Sequence, residues 1–418
     1  MQHVKGLEAG KVHIDGARLW GSLMQMAQIG PGIAGGCNRQ ALTDADKAGR
    51  DLFVRWARDA GCEITVDAVG NIFARRSGSH PDAAPVLTGS HLDTQPTGGR
   101  FDGVYGVMAG LEVVRALNDH RITTLHPIEI GVWTNEEGCR FSPAMLGSGV
   151  VSGTYTQAFA DSRVDREGKV FADELVRIGY RGSIPAARRP FAATFEAHIE
   201  QGPILERDGV QIGVVTGIQG AYWLELTLRG VPCHAGPTPM EMRKDPWPCA
   251  TAIIDGAYAI VARNKPWARV TIGDVRVLPG SRNTSPAEVI LSFDLRHPDA
   301  QRLEQIVASV ETRAADECAK CGIDLKAERT WHMPPTAFDE RLVSLLEGVA
   351  TACGYSNQRM ISGAGHDSLH IAQIAPTAMI FVPCAGGLSH NEAEHATQTD
   401  LAAGTEVLFR SIVHVAGT

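Results

Sequence analysis

The sequence predicts an α/β fold interrupted by a smaller α+β segment, on three observations. Four short apolar runs, at 85–90, 128–133, 193–197 and 378–382, read as buried strands separated by helical patterns. Each run leads into a polar cluster rich in His, Asp or Glu. Between 215 and 330 the pattern changes to strand, helix, strand, strand, helix, which marks a compact α+β layer. The expected domains are therefore 1–214 joined to 331–418, with 215–330 inserted, and the core is expected to be a mixed sheet flanked by helices.

Residues 15–28 read as a helix with Asp15 as its cap and Leu19, Leu23 and Met26 on one face. Gly and Pro at 30–36 break that pattern. A second helix starts at Thr43, with Asp46 as capping-box partner and Leu52, Trp56 and Ala60 on one face, and stops at Gly61. Strands near 63–67 and 71–75 form a hairpin-like pair. The strand 85–90 runs into TGSHLDTQPTGGRFDGVYGV, where His91, Asp93 and Asp102 surround a Pro/Gly turn. Next comes a helix with Val104, Val107, Met108, Leu111 and Val114 inward, so Asp102 also sits where a helix N-terminus favours a carboxylate. The run 128–133 ends in Thr134-Asn135-Glu136-Glu137-Gly138, whose two acids point apart if the chain stays extended.

Residues 157–190 are charged and Arg-rich and read as an irregular surface excursion. The strand at 193–197 ends in His198-Ile199-Glu200-Gln201-Gly202. In the insert, a strand at 223–228, a helix at 245–263, strands at 269–277 and 288–295 and a helix at 299–320 follow one another. The insert carries polar clusters at Cys233-His234-Ala235-Gly236, at Arg282-Asn283-Thr284 and at Arg296. After Pro334-Pro335, a helix at 339–353 leads to Ser362-Gly363-Ala364-Gly365-His366-Asp367. The strand 378–382 reaches His390 through a glycine turn, and a last helix spans 399–415.

At 418 residues and 44% apolar, the chain can bury at least one large core. A formal charge of −8 argues against a nucleic-acid or anionic-membrane partner, which would need a basic surface. No apolar run reaches membrane-spanning length, and the stretch MQHVKGLEAGKVHIDGARLW lacks a signal-peptide core. Nine scattered cysteines read as reduced thiols, so a cytoplasmic setting is expected. The one CxxC, Cys318 to Cys321, lies in a helical pattern without a second pair, which argues against a zinc knuckle or a redox motif.

One at a time, acids and histidines in loops are ordinary solvated groups. Here the strand ends of one sheet collect His91, Asp102, Glu137, His198 and His390: five nitrogen or oxygen donors and no thiolate. Such a set, with a carboxylate able to bridge, suits two divalent ions about 3.5–4 Å apart, and a shared water between them becomes strongly acidic. Asp93 is placed to orient His91, and Glu136 to take a proton from that water and pass it to a leaving nitrogen. No Ser or Cys nucleophile with its base is evident, since Cys139 has no histidine near it, and no phosphate-binding glycine loop occurs.

The motifs GSHLDTQPTGGRFDG, WTNEEGCRF, HIEQG, HAGPTPM, RNTSPAE, SGAGHD and GGLSHNEAE, in that order over nearly the whole chain, resemble the amidase/hydantoinase branch of the M20 metallopeptidase family. That branch includes N-carbamoyl-L-amino-acid hydrolases, β-ureidopropionases and allantoate amidohydrolases. The resemblance implies a dinuclear catalytic domain interrupted by a lid and dimerisation domain, a homodimer through that insert, and two divalent ions drawn from Zn, Mn, Co or Ni. It gives His91 and His198 to one ion and Glu137 and His390 to the other, with Asp102 bridging, Glu136 as general base and Asp93 supporting His91. It implies that His234, from its own or a partner subunit, stabilises the oxyanion, and that Asn283 and Arg296 hold a substrate carboxylate. It gives Gln201 to the carbamoyl group and His366 to a substrate-side loop, while Cys139 and His395 depart from the usual pattern.

The implied reaction is hydrolysis of the carbamoyl C–N bond of an N-carbamoyl-L-amino acid or N-carbamoyl-β-alanine, with allantoate as the rival substrate. An aminopeptidase lacks the HIEQG and RNTSPAE wording. A non-catalytic association scaffold predicts eroded ligands, and all of them are present.

Overall fold

A computed structural model describes residues 12–417, so the start of the polar N-terminal stretch read above lies outside the described residues. The chain forms two units, one from Met1–Thr216 with Ala337–Thr418, the other from Gly217–Thr336. The fold is mixed α/β, with sheets flanked by helices.

The larger unit is built on a nine-stranded sheet. Its strands run in the order Glu63–Val66, Ile72–Arg76, Ile128–Trp133, Val86–His91, Ala193–Ile199, Thr377–Val382, Ile212–Ile218 and Thr336–Ala337, with Asn357–Ser362 also on Ile212–Ile218. The four central strands are mutually parallel and buried along their whole length, as expected when both faces of a sheet are covered. Antiparallel strands close both sides. Because the central strands share one direction, their carboxyl ends collect at one edge of the sheet, the place where such folds put ligands.

One glycine sets how closely two of these strands approach. Gly89 takes φ 146° opposite Gly131, and a Cβ there would lie 1.9 Å from the Gly131 carbonyl oxygen. The helices Val104–Asp119 and Gln398–Ala416 bury most of their residues against the sheet.

Helix starts follow the predicted caps. Asp15 accepts from the amides of Ala17 and Arg18, and Thr43 accepts from that of Asp46. The Asp46 carboxylate, however, accepts from the Leu42 amide rather than closing the box on Thr43. The buried face of Asp44–Asp59 runs through Gly49, Arg50, Phe53 and Ala57, one position round from the stripe read in the sequence. The stripe missed Arg50 because a cation is not counted as core. It is wholly buried and pairs with Asp46 at 2.9 Å while donating to the Gly70 carbonyl.

The excursion at 157–190 is more ordered than its composition suggests. It contains the helices Gln157–Asp161 and Phe171–Arg177 and buries Phe171, Leu175 and Ile178. Arg140 ties it down through Asp165 and Glu174.

The smaller unit is a four-stranded antiparallel sheet ordered Asp324–Met333, Gly220–Arg229, Glu288–His297, Arg269–Leu278. Trp247–Ala262 and Ala300–Cys321 contribute Ile253, Val307 and Val310 to a core with Leu224, Leu226, Leu228, Leu291 and Phe293. The strand Asp324–Met333 was not anticipated. It lies at the sheet edge, exposed over most of its length and rich in charge, so it shows no buried alternation. Asn357–Ser362 was not anticipated either; it pairs on one side only, and its first three residues are polar. Among the described residues, no helix is long and apolar enough to cross a membrane.

Arg50→Met leaves the Asp46 charge buried without its partner and should cost about 3–5 kcal/mol of stability. Urea unfolding of both proteins measures this, and a loss below about 1 kcal/mol would mean that the pair is dispensable.

Candidate metal centre

The carboxyl ends of the parallel strands deliver the candidate donors. His91 is the last residue of Val86–His91, and His198 is the penultimate residue of Ala193–Ile199. Glu136 and Glu137 follow Ile128–Trp133, and His390 lies in the loop after Thr377–Val382. Asp102 ends the loop that leads into the helix Val104–Asp119. Gly103, not Asp102, occupies that helix's cap position, and no side chain caps it. Helix capping therefore does not account for this acid.

Asp102 stands between two groups of donors. Its Oδ1 lies 3.2 Å from His198 Nε2 and 3.7 Å from His91 Nε2. Its Oδ2 lies 3.4 Å from His390 Nε2, which is itself 3.4 Å from Glu137 Oε2. Two triads result, His91/Asp102/His198 and Asp102/Glu137/His390, with one carboxylate common to both. Donors bound tetrahedrally at about 2.1 Å from an ion are separated by roughly 3.4 Å, so this spacing fits a divalent cation in each triad. Hard carboxylates and imidazoles without thiolate fit the same class of ion.

Backbone groups aim the imidazoles. The Nδ1 of His91 donates to the Asp93 carbonyl at 2.8 Å, and that of His198 donates to the Ile199 carbonyl at 2.8 Å. Both rings therefore turn Nε2 toward Asp102 as the nitrogen that could ligate an ion. Asp93 supports His91 through its main chain, since its carboxylate is 4.0 Å from the ring. That carboxylate instead accepts from the amides of Glu136 and Glu137. The two acids do not diverge by strand alternation either: the chain bends, with Asn135 at φ 57°, and brings both to the same centre. Glu137 also accepts from the Gln95 amide and side chain, while Glu136 Oε2 lies 3.4 Å from His91 Nε2.

Protons reveal how much negative charge is concentrated here. Burial, then Asp367 and Glu137, pushes the Glu136 carboxyl well above its ordinary range. Burial and Asp102 take Glu137 to about 8. Burial lowers His91 to about 4. Burial would also raise Asp102, yet hydrogen bonds with His198 and His390 hold it well below the usual carboxylate range. The Asp102 hydrogen bond lifts His390 to about 9; in His198 the Asp102 interactions outweigh burial and raise it to about 9 as well. Protons on these histidines supply positive charge to a carboxylate that cations would otherwise neutralise.

Other residues singled out in the sequence fall as follows. Gln201, at φ 57°, donates through Nε2 to Asp102 Oδ2, and its Oε1 is buried with no partner. His366 is buried with its ring 4.5 Å from that of His198 and its Nε2 3.0 Å from Ser362 Oγ. In the smaller unit, His234 pairs with Thr284 across a two-residue ladder, and the Asn283 carbonyl accepts from the Ala235 amide. Arg296 forms a two-point pair with Asp294. The sequence reading missed Ser389 and Glu394: Ser389 Oγ reaches Asp102 Oδ2, and Glu394 accepts from the amides of Phe101 and Asp102. Both lie in GGLSHNEAE, where the histidine drew attention away from its neighbours.

Residues 87–414 match the family model described as Peptidase family M20/M25/M40. The chain is 49% identical over 403 residues to N-carbamoyl-L-amino-acid amidohydrolase of Rhizobium meliloti, covering 96% of this chain and 97% of the relative. It is 38% identical to N-carbamoyl-L-amino acid amidohydrolase of Geobacillus stearothermophilus, covering 96% and 99%. The crystal structure of an amidase of the hydantoinase/carbamoylase family from Burkholderia multivorans superposes with a TM-score of 0.94 at 50% identity, covering 97% and 98%.

Room beside His91 depends on Gly103, which has φ 67° and whose added Cβ would lie 2.3 Å from the imidazole. Gly103→Ala should weaken metal binding by about 10–100-fold, the range seen when ligand orientation is disturbed. Metal titration checks this alongside circular dichroism, and unchanged affinity in a folded variant would show that the ring tolerates the crowding.

Proposed function

Because this chain belongs to the M20/M25/M40 peptidase family, we propose that it is a metal-dependent N-carbamoyl-L-amino-acid amidohydrolase that releases free amino acid, ammonia and carbon dioxide. The observation that carries this reading is the Asp102 carboxylate, which turns one oxygen to each of two histidine-containing triads. His91, Asp102 and His198 would hold one divalent ion and Asp102, Glu137 and His390 a second, and such ions would supply Lewis-acid polarisation of the ureido carbonyl and a lowered pKa for a bound water. Zn, Mn, Co and Ni all suit these donors.

The chain's own groups do the rest. Glu136 is buried beside His91 and takes the proton of the attacking water. Its raised proton affinity lets it carry that proton to the departing nitrogen. Gln201, anchored on Asp102, offers its unpartnered Oε1 to the carbamoyl NH2. In this reading the smaller unit works as lid and dimerisation domain of a cytoplasmic homodimer. Its His234 stabilises the oxyanion. Asn283 and Arg296 hold the substrate carboxylate, with Asp294 keeping the guanidinium fork oriented.

Glu136→Gln should lower kcat by about 10²–10⁴-fold while leaving bound metal unchanged. Normal turnover in a metal-loaded variant would remove the assignment. Ammonia release should be fastest with N-carbamoyl-L-α-amino acids, slower with N-carbamoyl-β-alanine and slowest with allantoate. A preference for allantoate in that panel would reassign the substrate.

A further inference from the structure

Backbone carbonyls aim the rings of His91 and His198, but the third imidazole has no such guide. His390 is exposed, sits at φ 53° in a loop, and among the described residues no carbonyl accepts from its Nδ1. Its place beside Asp102 and Glu137 therefore depends on what holds the loop, and two glutamates do so. Glu392 Oε2 accepts from the amides of Ala34 and Gly36, and a Cβ on Gly32 would lie 2.3 Å from that oxygen. Glu394 is buried, and its Oε1 accepts from the amides of Phe101 and Asp102 at 2.9 and 3.1 Å. Its Oε2 lies 3.0 Å from Ser389 Oγ, and the same hydroxyl lies 2.9 Å from Asp102 Oδ2. Gly99 leaves the room for this, since a Cβ there would lie 2.0 Å from the Glu394 carboxyl carbon.

We propose that Glu394 is a positioning residue for the cation of the Asp102/Glu137/His390 triad. By gripping the Asp102 main chain and the Ser389 hydroxyl at once, it locks the loop of His390 to the loop of Asp102 at the spacing that an ion requires. The proposal rests on the metal-dependent reading of this site. Ser389 directly precedes His390, so a carboxylate that fixes its hydroxyl also fixes where the ligand's backbone starts. The turn between them is closed by the Glu394 amide, which donates to the Asn391 carbonyl at 3.0 Å. Glu394 belongs to neither triad and acts through Asp102 and His390.

Two conservative variants separate geometry from charge. In Glu394→Gln the side-chain oxygen still accepts from both main-chain amides. Its NH2 donates to Ser389 Oγ, which turns its own proton to Asp102. Every contact survives and only the charge is lost. Glu394→Asp keeps the charge but shortens the reach by one methylene, so the two ends are no longer gripped together.

The test titrates Co(II) into metal-stripped full-length protein and reads each binding step by calorimetry, with circular dichroism and thermal unfolding of the metal-free forms beside it. Glu394→Asp and Glu394→Ala should weaken one of the two ions by about 10–100-fold, the range for disturbed ligand orientation, and Glu394→Gln should match the unaltered protein. Equal losses in Glu394→Gln and Glu394→Asp would make charge the contribution and overturn the proposal. So would unchanged affinities in Glu394→Asp, or a lowered thermal midpoint with both ions bound as before, which marks a residue that serves only the fold. Binding is read without substrate, so the two readings fail separately. Unchanged Co(II) affinity in Glu394→Asp, with carbamoyl hydrolysis intact in the unaltered protein, removes the positioning role alone. Unaltered protein that takes up no divalent ion removes the amidohydrolase reading with it.

Discussion

Several carboxylates are held together out of water at one edge of a parallel sheet, and that concentration of charge is the constraint on which the rest of the architecture turns. Asp93, Asp102, Glu136, Glu137 and Glu394 are all buried or nearly so. Isolated, each would be driven to take up a proton. The ion-pair partners of Asp102, Glu136 and Glu137 are histidines, which can yield their protons to a cation, rather than arginines, which cannot. A centre made this way is unfinished electrostatically until positive charge arrives, and the two triads around Asp102 are its candidate acceptors.

The surrounding structure fixes orientation more than it adds charge. Backbone carbonyls after His91 and His198 set which ring nitrogen faces inward. Asp93 braces the amides of both Glu136 and Glu137, so the two acids are held as one turn. Arg50 reaches that turn's approach from below through Gly70 and Thr134. Such main-chain devices hold a polar cluster still without lengthening the list of charged side chains.

Much of this was legible in the sequence, and the limits have physical reasons. The central strands announced themselves because both faces are buried and the runs are unbroken in hydrophobicity. Asp324–Met333 stayed hidden because its charged side chains lie in water and show no alternation, whereas Arg269–Leu278, also exposed at a sheet edge, was legible from its Val and Ile residues. The convergence of His91, Asp102, Glu137, His198 and His390 followed from their common place after parallel strands. What could not be read was support supplied by the main chain. The Asp93 carbonyl on His91, the bend at Asn135 and the space left by Gly103 depend on backbone geometry that residue types only hint at. Glu136 and Glu137 were expected to point apart by alternation, and the bend at Asn135 instead turns both toward the same cluster of histidines.

The order of the strands has a consequence for how the protein is made. The hydroxyls of Thr194 and Thr377 bond between neighbouring parallel strands although 183 residues separate them, with the whole smaller unit lying between. During synthesis the ribosome therefore releases His91, Glu137 and His198 long before the strand that leads to His390. Until that last strand docks, the nascent chain carries an acid-rich, half-formed sheet edge with an unpaired side. Late zippering of this kind is slow, because a long loop must close before the pairing is rewarded. The sheet edge that leads to His390 is thus closed by nearly the last segment of the chain, whatever substrate the finished protein takes.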